Sequence, residues 1–394
     1  MALGMLIATS ALSIDILLPA IPALAEHFQI SEHASQYAVT AYLAGFALGQ
    51  LPMGLLADRY GRRPVITAGI GVFIMTGLIG ALASSAGVLF AARFVQGIAG
   101  AVGPVVARAI ARDIGGEDHG ARLLATLVTI LGLAPLLAPL IGGAMTEWAG
   151  WRTTLLAIPC YGLATLLAIW RLVPESLPPS ERQRQLGAAQ VLESLRALGA
   201  HPAALVAVAL ACAPYGGYLA MITSASTVLI GDYHLSPATF GAIFATGAAA
   251  YTAGAATSRQ LMTNRSSRWV LWLAINVFVV SALLMAIILI AGPVPLWALW
   301  GTVAVFIFAV SLITPIATGL ALAPLPGSAG FTAAIIGTGS MAAGTLGSLL
   351  TATFYAPYGV SMLGVMIGSS AVTVLTYTLG RSALGYAREQ EQTR

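Results

Sequence analysis

The chain has 394 residues, of which 58% are apolar and only 8% are charged, and its mean hydropathy is +0.88. Soluble globular proteins carry about 25% charged residues, so this composition excludes a soluble protein and indicates one that crosses a membrane many times. The formal net charge is +4, and the two cysteines and five histidines exclude a disulfide framework, a zinc site and a haem attachment.

Apolar runs between turn and charge clusters predict twelve membrane-spanning helices, since each crossing needs about 20 residues. In chain order, helices 1 to 12 are predicted over 2–23, 37–57, 65–83, 87–109, 121–144, 152–172, 203–230, 237–258, 269–292, 295–318, 329–352 and 358–380. The longest polar stretch separates six helices from the other six. We therefore predict an all-α polytopic membrane protein in four parts: an N-terminal six-helix half (1–173), a central loop (174–202), a C-terminal six-helix half (203–381) and a tail (382–394).

The first predicted helix also has features of a cleavable leader. Its end, Ala23-Leu24-Ala25, is similar to a signal-peptidase site. A signal peptide opens with positive charge, however, and Met1 to Ser13 contain none. We expect the segment to be retained as helix 1, because its removal would leave eleven helices. The lack of a basic residue before helix 1 leaves open whether Met1 is the natural start.

All eighteen basic residues are arginines, and their positions test the topology. If helix 1 runs outward, sixteen of them lie in or beside the inside loops and the termini. One, Arg152, lies in an outside loop, and one, Arg93, lies within a helix. Cytoplasmic loops carry an excess of arginine and lysine, so the pattern predicts that both termini are cytoplasmic. The basic patches are membrane anchors, and we expect no nucleic-acid partner.

The loop between helices 2 and 3 reads GLLADRYGRR over residues 54–63. Its glycines allow a sharp reversal of the chain, and a single carboxylate lies among three arginines. The ordered spacing G-x-L-A-D-R-x-G-R-R resembles the loop between helices 2 and 3 of the major facilitator superfamily. The resemblance implies the major facilitator fold, with twelve transmembrane helices in two six-helix halves, and it covers the first half of the chain most densely.

Three further motifs resemble one branch of that superfamily, the drug–proton antiporters. LFAARFVQG over 89–97 resembles their helix 4 motif, and DILLPAIP over 15–22 is similar to the bicyclomycin-resistance type of exporter. APLLAPLIGG over 134–143 resembles the helix 5 antiporter signature, with Ala138 where a glycine is usual. We expect its prolines to kink helix 5 and its glycines to allow close packing against neighbouring helices. These residues are Pro135, Pro139, Gly142 and Gly143.

Only Asp15 and Arg93 place a charge deep inside the predicted helices. A charge inside a bilayer costs about 3 kcal/mol on insertion scales, so such residues are functional candidates. At 1.5 Å per residue, both lie roughly 10 Å below the outer surface, and the implied fold lines its central cavity with helices 1 and 4. We predict that Asp15 takes up and releases the coupling proton and that Arg93 tunes it. The alternative is a static ion pair that locks helices 1 and 4, or an Asp15 that faces outer water.

The inside loop is predicted to act as a conformational latch. The family resemblance places Asp58 near the start of helix 11 and Arg62 near Asp113 at the end of helix 4. Such contacts would hold the cytoplasmic side closed and break in the inward-open state. The gating residues implied are Asp58, Arg59, Arg62, Arg112 and Asp113.

Aromatic and amide side chains within the helices are candidates for a substrate cavity, although helix packing explains each of them as well. They are Tyr42, Phe46, Gln96, Tyr161, Tyr215, Tyr218 and Tyr251. A cavity with so few fixed charges suits neutral or weakly polar, drug-like molecules. Sugar phosphates and dicarboxylates would need inward-facing basic residues.

The predicted function is proton-coupled efflux of small, mainly apolar drug-like compounds by alternating access across a bacterial inner membrane. The partners are then a small-molecule substrate, protons and the lipid bilayer, and we expect a monomer without cofactor, metal or catalytic group. The alternative on the same fold is a proton-coupled exporter of one metabolite, such as a sugar or an amino acid. An enzyme is disfavoured because no catalytic constellation is present. An ATP-driven pump is excluded for this chain because it has no Gly-x-x-x-x-Gly-Lys loop.

Overall fold

A computed structural model describes residues 1–182, 188–292, 294–325 and 329–385, and these residues form helices and connecting turns without a β-strand. In the first half, the α-helices are Ala2–Asp15 and Ile21–Phe28 (helix 1), Glu32–Ser35 (a short helix before helix 2), Tyr37–Tyr60 (helix 2), Arg62–Ala81 (helix 3), Ala86–Gly100 and Val102–Ala149 (helices 4 and 5) and Trp151–Leu172 (helix 6). After the central helix Ala188–Gly199 come Pro202–Cys212 and Pro214–Ser226 (helix 7), Pro237–Asn264 (helix 8), Ser267–Ala291 (helix 9), Leu296–Leu322 (helix 10), Ala329–Thr353 (helix 11) and Val360–Gly380 (helix 12).

Ten helical segments of the described residues are long and apolar enough to cross a membrane. The remaining two predicted crossings, helices 5 and 8, are helical as well, within Val102–Ala149 and Pro237–Asn264. The prediction of an all-α polytopic membrane protein is therefore confirmed.

Helices 4 and 5 share one continuous run of helical residues, Val102–Ala149. Gly103 packs against the backbone of Leu6, and the side chain of Ile130 packs against Gly4. Both contacts lie at the same end of helix 1, whereas a straight helix would separate residues 103 and 130 by about 40 Å. The chain therefore reverses direction within this run, and it supplies two antiparallel crossings.

The chain divides into two compact units. The first contains Met1–Gly187 together with Thr223–Ala248, and the second contains Ala188–Ile222 together with Ala249–Arg394. The second part of helix 7 and the first part of helix 8 thus belong to the same unit as helices 1 to 6. The predicted boundaries at 173, 202 and 381 stay predictions.

Within the first unit, helices 2 and 4 cross at backbone contact. A Cβ atom added to Gly45 would lie 1.9 Å from the Phe94 carbonyl oxygen, and one added to Gly97 would lie 2.1 Å from that of Tyr42. A Cβ at Gly49 would meet the Ile98 carbonyl oxygen at 2.5 Å. Only glycine fits such an approach, which is how membrane helices associate without a hydrophobic driving force. Helices 2 and 4 are thereby fixed to each other.

Helices 1 and 7 are both interrupted. In helix 1 the α-helix ends at Asp15, and a 3₁₀ turn that contains Pro19 follows. Pro19 has no N–H to donate to the carbonyl of Asp15, four residues earlier. Helix 7 is interrupted in a similar way before Pro214, which has no N–H to donate to the carbonyl of Leu210. At this break the Ser369 hydroxyl of helix 12 donates to the Ala213 carbonyl oxygen at 2.8 Å. Interrupted helices are common beside the binding sites of transporters.

Candidate functional site

Arg93 is 1% exposed and joins helix 4 to helices 1 and 2. Its Nη1 and Nη2 atoms donate to the hydroxyl and the carbonyl oxygen of Ser13, at 2.8 and 3.0 Å. Its Nε atom donates to the Ala38 carbonyl oxygen at 3.1 Å, and the guanidinium lies 4.4 Å from the centre of the Tyr42 ring. The helix 4 arginine is thus held by hydrogen bonds and by a cation–π contact.

Gln96 extends this network to helix 3. Its Oε1 atom accepts a hydrogen bond from Arg93 Nη1 at 2.7 Å, and its Nε2 atom donates to the Phe73 carbonyl oxygen at 3.1 Å. Gln96 is 1% exposed, so both ends of its amide are used inside the protein. This glutamine, predicted as a cavity residue, supports the arginine in the structure.

The ion pair considered between Asp15 and Arg93 does not form in the part of the chain that the structure describes. The ion pairs found there are Arg62 with Asp58 and Arg62 with Asp113. Arg93 contacts helix 1 through Ser13, two residues before Asp15. At 100° per residue these two side chains point about 200° apart around the helix axis. The similar depth predicted for the two residues does not fix which face of helix 1 each side chain occupies.

Asp15 lies at the interruption of helix 1, and its side chain is buried, at 3% exposure for the residue. Helix 5 packs on this interruption, because a Cβ added to Gly142 would lie 2.2 Å from the Ile16 carbonyl oxygen. The candidate proton carrier is therefore next to the candidate antiporter signature. Any residue larger than glycine at position 142 would push helix 5 away from this part of helix 1.

The second glycine of the helix 5 motif contacts helix 8. A Cβ added to Gly143 would lie 2.4 Å from the Pro237 carbonyl oxygen. In the reverse direction, a Cβ added to Gly241 would lie 2.6 Å from the Pro139 carbonyl oxygen. Pro135 is also inside the helical run, one turn earlier. The motif thus places helix 5 between helices 1 and 8 within the first unit.

Arg62 is the centre of the loop between helices 2 and 3. Its Nε atom donates to Asp113 Oδ2 at 3.0 Å, and its Nη1 atom donates to Asp58 Oδ1. The contact expected between Arg62 and Asp113 is present, and it joins the start of helix 3 to the end of helix 4. Arg59 lies over the Tyr60 ring, 5.2 Å from its centre. The remaining gating candidate, Arg112, is exposed.

Glu175, which the sequence did not single out, completes this network. Its two carboxylate oxygens accept hydrogen bonds from the backbone N–H groups of Arg62 and Arg63, at 2.9 and 3.0 Å. The carboxylate thus satisfies free donors at the start of helix 3, where negative charge is favoured. The next residue, Ser176, donates to Asp113 Oδ2 at 2.9 Å. The first residues after helix 6 therefore belong to the predicted latch.

We expect Glu175→Gln to lower the stability of the protein by about 1 kcal/mol. One of the three charge-assisted hydrogen bonds that the carboxylate accepts, from the N–H groups of Arg62, Arg63 and Leu177, is lost. The measurement is the thermal unfolding of the purified protein in detergent, followed by tryptophan fluorescence. Glu193→Gln is the matched control, since Glu193 is exposed on the central helix Ala188–Gly199. Equal melting temperatures for both variants would contradict the assigned role of Glu175.

The aromatic candidates of the first unit are used in contacts between helices. Tyr42 is fully buried beneath Arg93 and stacks on Phe46, which is 5% exposed. Tyr161, from helix 6, donates its hydroxyl to the Met5 carbonyl oxygen of helix 1 at 2.9 Å. These contacts correspond to the helix-packing alternative, and the assignment of the three residues to a substrate cavity stays a prediction.

Tyr215, Tyr218 and Tyr251 form one aromatic cluster in the second unit. The Tyr218 ring lies 5.8 Å from that of Tyr215 and 5.5 Å from that of Tyr251, between ring centres. The hydroxyls of Tyr215 and Tyr251 are 3.4 Å apart. All three residues are half-buried and follow the interruption of helix 7 or face it from helix 8. Two predicted cavity residues of helix 7 and one of helix 8 are thus brought together.

Known proteins resemble the chain along nearly its whole length. A bicyclomycin resistance protein homolog of Haemophilus influenzae is 27% identical over 96% of this chain and 94% of its own, and multidrug resistance protein D of Escherichia coli is 30% identical over 93% and 92%. A bacterial homolog to the human lysosomal transporter Spinster, in an inward-facing and occupied conformation, has the same fold, with a TM-score of 0.73 and 15% identity over 98% of this chain and 96% of that one. Residues 3–348 match the Major Facilitator Superfamily. The chain therefore belongs to the Major Facilitator Superfamily and is a multi-pass membrane transporter of small molecules.

Proposed function

We propose that this transporter exports small, mainly apolar drug-like compounds in exchange for protons. In this proposal the protein works as a monomer in a bacterial inner membrane, with both termini in the cytoplasm and the proton gradient as its energy source. The names of the two bacterial relatives, a bicyclomycin resistance homolog and a multidrug resistance protein, support the substrate class. The sixteen-to-one distribution of the loop and terminal arginines supports the orientation.

The observation that carries proton coupling is the position of Asp15. Its carboxyl group is buried at the interruption of helix 1, where helix 5 packs through Gly142. Burial among apolar groups favours the neutral form of a carboxyl, and hydration favours the charged form. A movement of helix 5 that admits water beside Asp15 would release its proton, and the return movement would require one.

Arg93 has a supporting role in this scheme. Its hydrogen bonds to Ser13 hold helix 1 against helix 4 close to Asp15. We therefore infer that Arg93 tunes Asp15 by fixing the position of helix 1 and through its charge, without a direct ion pair. Arg62, with its partners Asp58 and Asp113, would close the cytoplasmic side, and Asp58 would approach the start of helix 11 in that state.

Substrate contacts are proposed for Tyr215, Tyr218 and Tyr251. Three half-buried rings whose centres lie within 6 Å of their neighbours offer flat apolar faces, and their hydroxyls offer a few polar contacts. Aromatic rings bind aromatic and weakly polar compounds through stacking and edge contacts. This cluster suits planar drugs better than sugars or small amino acids, which favours the drug exporter over the metabolite exporter.

The test is uptake into inverted membrane vesicles, in which an exporter accumulates its substrates. A fluorescent dye and chloramphenicol are the probes, with and without an imposed proton gradient. We expect gradient-dependent accumulation of at least one of them, and none in vesicles that lack the protein. Absence of uptake for every drug-like probe would overturn drug export in favour of the metabolite exporter.

A further inference from the structure

The second part of helix 7 carries an unusual set of buried polar residues. Residues 223–227 read TSAST, and their four hydroxyl-bearing side chains belong to residues that are at most 4% exposed. This segment lies in the first compact unit, together with helices 1 to 6. Burial of a hydroxyl costs free energy unless it is hydrogen-bonded. A run of hydroxyls where leucine or valine would pack at lower cost therefore calls for a functional reason.

Gln36, at the start of helix 2, binds this run with both ends of its amide. Its Nε2 atom donates to Thr227 Oγ1 at 3.0 Å, and its Oε1 atom accepts from Ser224 Oγ at 3.4 Å. Gln36 is 1% exposed, so water does not compete for these groups. The contact joins residues 191 positions apart in the sequence.

The backbone changes its winding where Gln36 binds. Thr227–Asp232 is a π-helical turn, a rare conformation that is found mostly at functional sites. Beyond this turn, the first turn of helix 8 is also held by the first unit, since the Ala238 N–H donates to Glu147 Oε2 of helix 5 at 3.1 Å. The end of helix 7 is therefore attached to helix 2, and the start of helix 8 is attached to helix 5. Both attachments lie opposite the GLLADRYGRR loop.

We propose that Gln36 is a positioning residue of the export cycle, whose amide latches helix 7 to helix 2 and keeps the extracellular side closed. The proposal rests on the proposed function, which places this end of the helices outside the cell. A neutral polar contact suits a latch that must open in every cycle, because water replaces the lost hydrogen bonds when the two helices separate. Separating an apolar contact of the same size would cost more free energy, because its surfaces would be exposed to water.

The test measures, in the purified full-length protein, the fraction of molecules whose extracellular side is open. Spin labels are placed on two exposed residues of the first unit, Ser84 and Ala242, in a variant without Cys160 and Cys212. Pulsed electron spin resonance then gives the distribution of distances between the labels. We expect Gln36→Ala to increase the longer-distance population about fivefold or more, since the loss of one neutral hydrogen bond corresponds to about fivefold and Gln36 makes two.

Thr227 provides an independent arm of the experiment. Thr227→Ala removes one of the two hydrogen bonds and should produce a shift of about fivefold, and Thr227→Ser should restore the original distribution. Gln36→Ala with Thr227→Ala should shift the distribution no further than Gln36→Ala alone. Gln50→Ala is the matched control, since Gln50 is a second buried glutamine of helix 2, at 5% exposure. The proposed latch would be overturned by an unchanged distance distribution in Gln36→Ala or by an equal shift in Gln50→Ala. Additive effects of Gln36→Ala and Thr227→Ala in the double variant would overturn it as well. The readout needs no drug, so a transporter that fails the vesicle assay but shows these shifts would refute only the proposed substrates.

Discussion

Replacement of Asp15 by asparagine is expected to abolish gradient-driven accumulation of drug while leaving the protein folded. Asparagine has nearly the same size and mimics the protonated carboxyl, but it cannot release a proton. Asp15 is buried at the interruption of helix 1, so the substitution leaves no exposed carboxyl in its place. The measurement is drug uptake into inverted vesicles, which should fall to the level of vesicles without the protein.

Two controls separate coupling from folding. Glu26→Gln removes an exposed carboxyl from the end of the same helix and should leave uptake unchanged. Downhill exchange of labelled drug should persist in Asp15→Asn, because substrate binding and the conformational change need no net proton transfer. Full gradient-driven uptake in Asp15→Asn would move the coupling site to another residue.

The largest effect on stability is expected for Arg93→Ala. The change removes buried hydrogen bonds to Ser13, Ala38 and Gln96. Each hydrogen bond to a charged group contributes about 1.5–3 kcal/mol, so we expect a loss of about 3 kcal/mol or more. Thermal unfolding in detergent should show a much lower melting temperature, and vesicle uptake should be lost.

Arg152→Ala is the matched control for Arg93→Ala. Arg152 also lies over an aromatic ring, that of Trp151 at 4.3 Å, and contacts His27 at 3.0 Å, but the residue is exposed. Exposed contacts of charged groups contribute about 0–1 kcal/mol. Similar melting temperatures for the two variants would show that Arg93 does not organise helices 1, 2 and 4.

The general architecture could be predicted because it depends on quantities that a sequence carries locally. Hydropathy over about 20 residues marks a crossing, and the ordered spacing of GLLADRYGRR identifies the superfamily. The contact of Arg62 with Asp113 was accessible in the same way, through the resemblance. Glu175 could have been suspected from its position directly after helix 6, where a carboxylate faces three loop arginines.

The candidate site was less predictable, because it depends on rotation of helices about their axes. Counting residues predicts similar depths for Asp15 and Arg93, but only packing decides that Ser13 faces Arg93. The latch of Gln36 on Thr227 has no local signal either, since the two residues come from distant parts of the chain. The only sequence feature that pointed to this contact was the TSAST run, which interrupts an apolar helix with polar residues.

The crossing of helices 2 and 4 has a consequence for the biogenesis of the protein. Membrane helices leave the ribosome in chain order, so Gly45 and Gly49 enter the bilayer well before the residues 94–98 that cover them. Until then, the bare backbone of helix 2 faces lipid, where small residues fill space poorly. A nascent chain stalled after helix 3 would therefore expose this glycine surface and be recognisable to membrane quality-control proteases. Insertion of helix 4 is the step that ends this exposure.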